Sequence, residues 1–187
     1  MARTPSNMIP LGTRIPVFEL PDAVSGKMFS SNELEGKISV VMFICNHCPY
    51  VKHINDQLVK LANEYIKKGV AFLAISSNDV ANYPEDSPVK MKEVALGLNY
   101  PFPYLYDETQ EIARAFDAAC TPDFYLFDQN QKLVYRGQLD DSRPSLGLPV
   151  TGKDLREAID CVIAGTPVQE HQRPSIGCNI KWKIPQA

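Results

Sequence analysis

Apolar residues change period twice along the first half of the chain, and those changes mark its elements. Residues 38–44 are apolar except for Ser39, the pattern of a strand covered on both faces. From Tyr50 the apolar positions fall at Val51, Ile54, Leu58, Leu61, Ala62 and Tyr65. Steps of three and four residues predict one face of an amphipathic helix, and Gly69 is placed to end it. Residues 70–76 return to a continuous apolar run, a second buried strand. The resulting strand–helix–strand unit is expected to cross over in the right-handed sense.

The flanking segments continue the alternation. Residues 17–20 and 27–29 enclose a turn-rich stretch and predict a short hairpin, and Ser30 with Glu33 has the spacing of a capping box. Residues 78–88 are polar with two prolines and predict a surface loop. Ser87 and Pro88 are suited to the N-cap and first position of a helix. Residues 101–106 read as extended, and Asp107 and Gln110 bracket the start of a helix running to Phe116. Residues 124–127 and 133–135 read as strands around a turn at 129–131. Thr151 and Asp154 open a last helix whose apolar face is Leu155, Ala158, Ile159 and Val162. The pattern predicts one α/β domain over 1–187, with a core at 12–164 and an irregular C-terminal extension at 165–187.

Composition narrows the function. A net charge of −3 over 187 residues, without a basic tract, argues against nucleic acid as a partner. No run approaches the about 20 apolar residues of a membrane span, and Pro5, Pro10 and Pro16 break up the N-terminal region where a signal peptide would be apolar. The expectation is a cytoplasmic protein with no membrane partner and an oligomeric state that composition leaves open. Its five cysteines, Cys45, Cys48, Cys120, Cys161 and Cys178, are too few and too uneven for a disulfide scaffold.

Two of them form Cys45-Asn46-His47-Cys48-Pro49, at the junction of the first buried strand and the amphipathic helix. A helix N-terminus offers unpaired N–H groups and about half a positive charge, and both favour the thiolate, the reactive form of cysteine. Proline at the first helical position would put Cys48 at the N-cap, so Cys48 is the expected nucleophile and Cys45 its resolving partner. His47 between them is a candidate to tune the thiols, position substrate or shuttle a proton, while His53 falls outside the apolar stripe and reads as exposed. A zinc site from Cys45, His47 and Cys48 would need a further ligand such as Cys178 or His53, and the spacing matches no common zinc module. The reading therefore calls for no cofactor and no metal.

These motifs, together with Asp107-Glu108-Thr109-Gln110, Thr121-Pro122-Asp123-Phe124, the 137–144 segment and Ser175-Ile176-Gly177-Cys178, resemble the peroxiredoxin-like redoxins. These are relatives of the alkyl hydroperoxide reductase and thiol-specific antioxidant group, and the similarity runs from about Gly12 to Lys183. The resemblance implies a thioredoxin-like fold, with Thr121 and Pro122 in the place of the cis-proline that faces the active cysteines and positions substrate. The Cys48-Pro49 pair is similar to the attacking Cys-Pro of peroxiredoxins. Where peroxiredoxins carry a proline and a threonine or serine, seven and three residues before that cysteine, this chain has Val41 and Cys45. Arg136 and Arg143 are the candidates for the arginine such enzymes set beside the nucleophile. Cys178 and Cys120 are possible further resolving thiols, Cys178 through a mobile tail; Cys161 reads as structural. The expected function is thiol–disulfide exchange through Cys48 and Cys45, with an external dithiol as reductant. The alternatives are a thiol peroxidase acting on hydroperoxides, and a metal-binding or redox-sensing protein without turnover.

Overall fold

A computed structural model describes residues 3–184, so the last three residues of the expected 165–187 extension lie outside the described residues. The central sheet has five strands: β4 (Ser39–Phe43), β5 (Ala71–Ser76), β6 (Tyr104–Tyr106), β8 (Asp123–Phe127) and β9 (Leu133–Gly137). Their order is β6-β5-β4-β8-β9. Strands β4, β5 and β6 run parallel, β8 pairs antiparallel with β4, and β9 pairs antiparallel with β8. Strand alternation sends Val40, Met42, Phe72, Ala74, Phe124 and Leu126 to one face and Val41, Phe43, Leu73, Ile75, Tyr125 and Phe127 to the other. Each face finds its own cover, which is why these strands are apolar without alternation.

The first face is covered by α1 (Pro49–Ile66), α2 (Pro88–Gly97) and α4 (Lys153–Ala164). All six residues of the predicted α1 stripe are buried. In α4, Leu155, Ala158 and Ile159 are buried and Val162 packs partly buried against the same core. The α4 N-cap is Gly152 in the left-handed conformation; Thr151 instead accepts the Lys153 N–H through its side chain. The opposite face is covered by Ile15, Phe18 and Leu20 of the N-terminal region and by Ala113 of α3 (Glu111–Ala115) with Phe116 just beyond it. The hairpin forms between β2 (Glu19–Pro21) and β3 (Met28–Ser30), and the Ser30–Glu33 capping box is present.

Two sequence expectations are corrected. The C-terminal extension is not irregular throughout: Ile176–Asn179 forms strand β10, paired antiparallel between β1 (Arg3–Pro5) and β7 (Cys120–Thr121). A four-residue strand with a glycine and a cysteine at its centre carries almost no β-pattern of its own. Its register exists because Gly177 lets the backbone pass close to β7, where a Cβ would stand 1.9 Å from the Thr121 carbonyl oxygen. The 78–88 loop departs from expectation only in part: Ala81, Asn82, Pro84 and Glu85 are exposed, but Asn78, Asp79 and Asp86 are buried. Their polar groups are satisfied by hydrogen bonds to one another's neighbours and to the chain after β10, which is how polar residues enter a core without penalty.

Candidate active site

Cys45 follows the end of β4, and Cys48 is the N-cap of α1 with Pro49 at the first helical position. The Cys48 N-cap makes no side-chain capping bond, so its sulfur is available for other contacts. One of these is Cys178 Sγ of β10, 2.9 Å away; as a thiol, Cys48 also donates to the Thr121 carbonyl oxygen at 3.2 Å. Cys45 Sγ lies 3.3 Å from Thr121 Oγ1. The Thr121–Pro122 bond is cis. Two segments far from the motif in sequence thus close on it: β7 supplies Thr121, and β10 supplies Cys178. Cys48, Cys45 and Cys178 are 0%, 1% and 1% exposed, and Cys178 reaches the site from an ordered strand, not a mobile tail.

The three sulfurs differ in acidity. The Cys45 thiol, hydrogen-bonded to Cys48, favours a thiolate there; the Cys178 thiol and the Val51 N–H add to it, and together they overcome burial to bring Cys48 down to about 5. The same hydrogen bond, then burial and the Asp86 charge, drive Cys45 well up. Burial first, then Cys48, push Cys178 up to about 12. One thiolate between two protonated thiols is the consistent state, with charge-assisted hydrogen bonds holding it. Cys120 is fully buried, and its thiol is pushed up by burial; its sulfur contacts the Pro122 carbonyl. Cys161 is partly exposed on α4.

His47 stacks on Tyr83 with ring centroids 5.4 Å apart, and its Nδ1 meets Asp86 Oδ2 at 2.6 Å. That hydrogen bond raises the His47 pKa. Burial pushes Asp86 up, but hydrogen bonds from His47 and Asn78 outweigh it and keep the carboxylate low. Asp86 Oδ1 also accepts the Asn46 N–H at 2.8 Å, so the carboxylate ties the Cys-x-x-Cys loop to the 78–88 segment. Sequence reasoning missed Asp86, because nothing in a polar, proline-bearing stretch separates a buried anchor from a solvated acid. His53 is not simply exposed: its Nε2 pairs with Ser142 Oγ at 2.7 Å. Arg136 bonds to Ile9 O and Gln172, and Arg143 to carbonyls of Asp140 and Ser142 and to Gln138.

The profile of the AhpC/TSA family matches residues 11–136. The chain belongs to the AhpC/TSA family. Within this family, its matched region holds both motif cysteines, Asp86 and Thr121–Pro122, while Cys178 lies beyond it. An uncharacterized conserved protein from Geobacillus kaustophilus is similar at 58% identity and a TM-score of 0.97, over 100% of this chain and 99% of that one. A hypothetical protein from Sinorhizobium meliloti is similar at 48% identity and a TM-score of 0.93, over 96% and 98%. At 20% identity, a thiol:disulfide interchange protein of the thioredoxin family from Chlorobium tepidum aligns with a TM-score of 0.63 over 82% and 98%. That last likeness shows the fold, which is thioredoxin-like. No curated protein matches the chain. Among the described residues no helix is long and apolar enough to cross a membrane. The family supports an oxidoreductase role for the chain.

Proposed function

We propose that this AhpC/TSA family member is a thiol–disulfide oxidoreductase with Cys48 as the attacking thiolate. The observation that supports it is the Cys48 sulfur at the α1 N-terminus, 2.9 Å from Cys178 Sγ and buried in the same cluster as Cys45. Cys48 S⁻ attacks one sulfur of a substrate disulfide; the S–S bond breaks, the first thiolate leaves, and a mixed disulfide forms. Cys45 then loses its proton and attacks Cys48 Sγ, releasing the second substrate thiolate and closing a Cys45–Cys48 disulfide. Two electrons have passed from the dithiol to the substrate. An external dithiol, in a reducing compartment such as the cytoplasm, returns them. Cys178, at 2.9 Å, is a second thiol able to take the resolving step, and Thr121 with Pro122 forms the wall against which substrate is positioned.

A second reading is favoured by one observation, the complete burial of Cys48. A hydroperoxide is small enough to reach a covered thiolate. Attack on its terminal oxygen gives a Cys48 sulfenic acid and an alcohol or water, and a neighbouring thiol then condenses with the sulfenic acid, releasing water. Turnover of wild type, Cys45→Ser and Cys48→Ser with insulin disulfide and with hydrogen peroxide, offered separately, tests both. The disulfide reading expects insulin reduction by wild type, abolished by Cys48→Ser and lowered by Cys45→Ser to the turnover that Cys178 can resolve. Rapid peroxide consumption that survives Cys45→Ser for a single turnover, with no insulin reduction, overturns it in favour of the peroxidase.

A further inference from the structure

Thiol exchange uses Cys45 and Cys48 but leaves a polar cluster beside them unexplained. Cys45 Sγ, a ring nitrogen of His47 and a carboxylate oxygen of Asp86 lie within 4.8 Å of one another. Cys45 and Asp86 are buried, so these are not solvated surface groups that happen to meet. The nitrogen that faces this cluster is His47 Nδ1, 2.6 Å from Asp86 Oδ2. The carboxylate is oriented in advance by the N–H groups of Asn46 and His47 and by the Asn78 amide. Outer hydrogen bonds of this kind are what fix the direction of metal ligands.

We propose that the reduced protein binds Zn²⁺ through Cys45, His47 and Asp86. One sulfur, one imidazole nitrogen and one carboxylate oxygen are donors that zinc accepts, at about 2.3, 2.0–2.1 and 2.0–2.2 Å. On a tetrahedral ion such donors stand about 3.3–3.6 Å from one another, and the three donor atoms here lie within 4.8 Å of one another. Three protein ligands leave a fourth position for water. Binding forms a Zn–S bond and releases the Cys45 thiol proton to solvent; no electron moves. The ion also displaces the proton held between His47 Nδ1 and Asp86, which leaves to solvent as well. The sequence offered Cys45, His47 and Cys48 with His53 or Cys178 as a further ligand, a spacing that matches no common zinc module; in the structure Cys48 meets Cys178 and His53 meets Ser142, and it is Asp86 that joins Cys45 and His47. A zinc-bound Cys45 cannot attack Cys48, so the ion would hold the dithiol reversibly inactive. That consequence rests on the proposed oxidoreductase reading, whereas the site itself does not.

The test is a titration of the reduced full chain with Zn²⁺ against a chromophoric chelator, repeated with Co²⁺ to read thiolate charge-transfer absorption. The expected result is one ion per chain, with a thiolate band that vanishes in Cys45→Ser. His47→Gln should weaken binding at least about tenfold. Circular dichroism confirms that each variant is folded, and Cys45→Ala and His47→Asn replace any that is not. Absence of stoichiometric binding overturns the proposal, as does binding that keeps its strength in a folded Cys45 or His47 variant. Zinc binding by a protein that shows no disulfide or peroxide turnover would instead overturn the oxidoreductase reading and leave the site standing.

Discussion

Removing the donors around Cys48 one at a time should return its acidity toward that of a free thiol. With the Cys48 pKa at about 5, against 9.0 for the unperturbed group, about 99% is thiolate at neutral pH where about 1% would otherwise be. The Cys45 hydrogen bond is the largest cause, ahead of that from Cys178. A hydrogen bond to a charged group contributes about 1.5–3 kcal/mol, and a pKa unit corresponds to about 1.4 kcal/mol. Cys45→Ala is therefore expected to raise the Cys48 pKa by about 1–2 units, and Cys178→Ala by a similar or smaller amount. Ultraviolet absorbance of the thiolate against pH measures this, with Cys48→Ser as the blank that removes signal from the other thiols. If both variants titrate within about half a unit of wild type, the neighbouring thiols do not hold the charge. The α1 N-terminus would then have to carry the whole effect.

Three further outcomes follow from the same geometry. Unfolded Cys48 keeps its proton up to about pH 8.5, while folded Cys48 loses it above about 5, so the unfolded state binds more protons between those values. Reduced wild type should accordingly gain stability relative to Cys48→Ala as pH rises through that window and lose the gain as pH falls through about 5; urea unfolding at several pH values reads it, and a constant difference rules it out. Asp86→Asn removes the main cause of the raised His47 pKa, so the His47 ring protons should titrate lower by nuclear magnetic resonance. The stability that the raised value supplies at acid pH, lost in wild type as pH rises through it, should shrink in the variant; an unmoved titration refutes the pairing. Gly177→Ala drives a Cβ into the Thr121 carbonyl and should cost about 1–3 kcal/mol, seen as a fall in Tm of several degrees; an unchanged Tm would mean that β10 is not seated as described.

The elements that were legible in the sequence are those whose pattern is local. Six α1 residues at helical spacing are all buried as expected, because a helix presents one face every three to four residues wherever it packs. The strands β4 and β5 were readable from uninterrupted apolar runs, since both faces of the sheet are covered. Pro49 marked the helix start, and Cys48 is its N-cap, because proline's missing N–H is harmless only in the first turn.

The site was legible only in part. Its Cys-x-x-Cys half is contiguous and could be read from the residues; Thr121, Pro122 and Cys178 were named only through the family resemblance, and Asp86 not at all. Cys178 meets Cys48 across 130 residues, and Asp86 meets His47 across 39. The positions of β1 and β10 depend on pairing with a third segment, β7, and on the fit of Gly177 against Thr121, which no periodicity within either strand encodes. Asp86 looked like any solvated acid because burial of a charge is decided by the partners that surround it, not by its neighbours in the chain. The sequence by itself thus determined the buried strands, the main helix and the Cys-x-x-Cys motif at its start, all products of local period and spacing. Tertiary structure alone decided the placement of the third thiol, the buried carboxylate and the covering of Cys48, because these arise where distant segments pack and displace water.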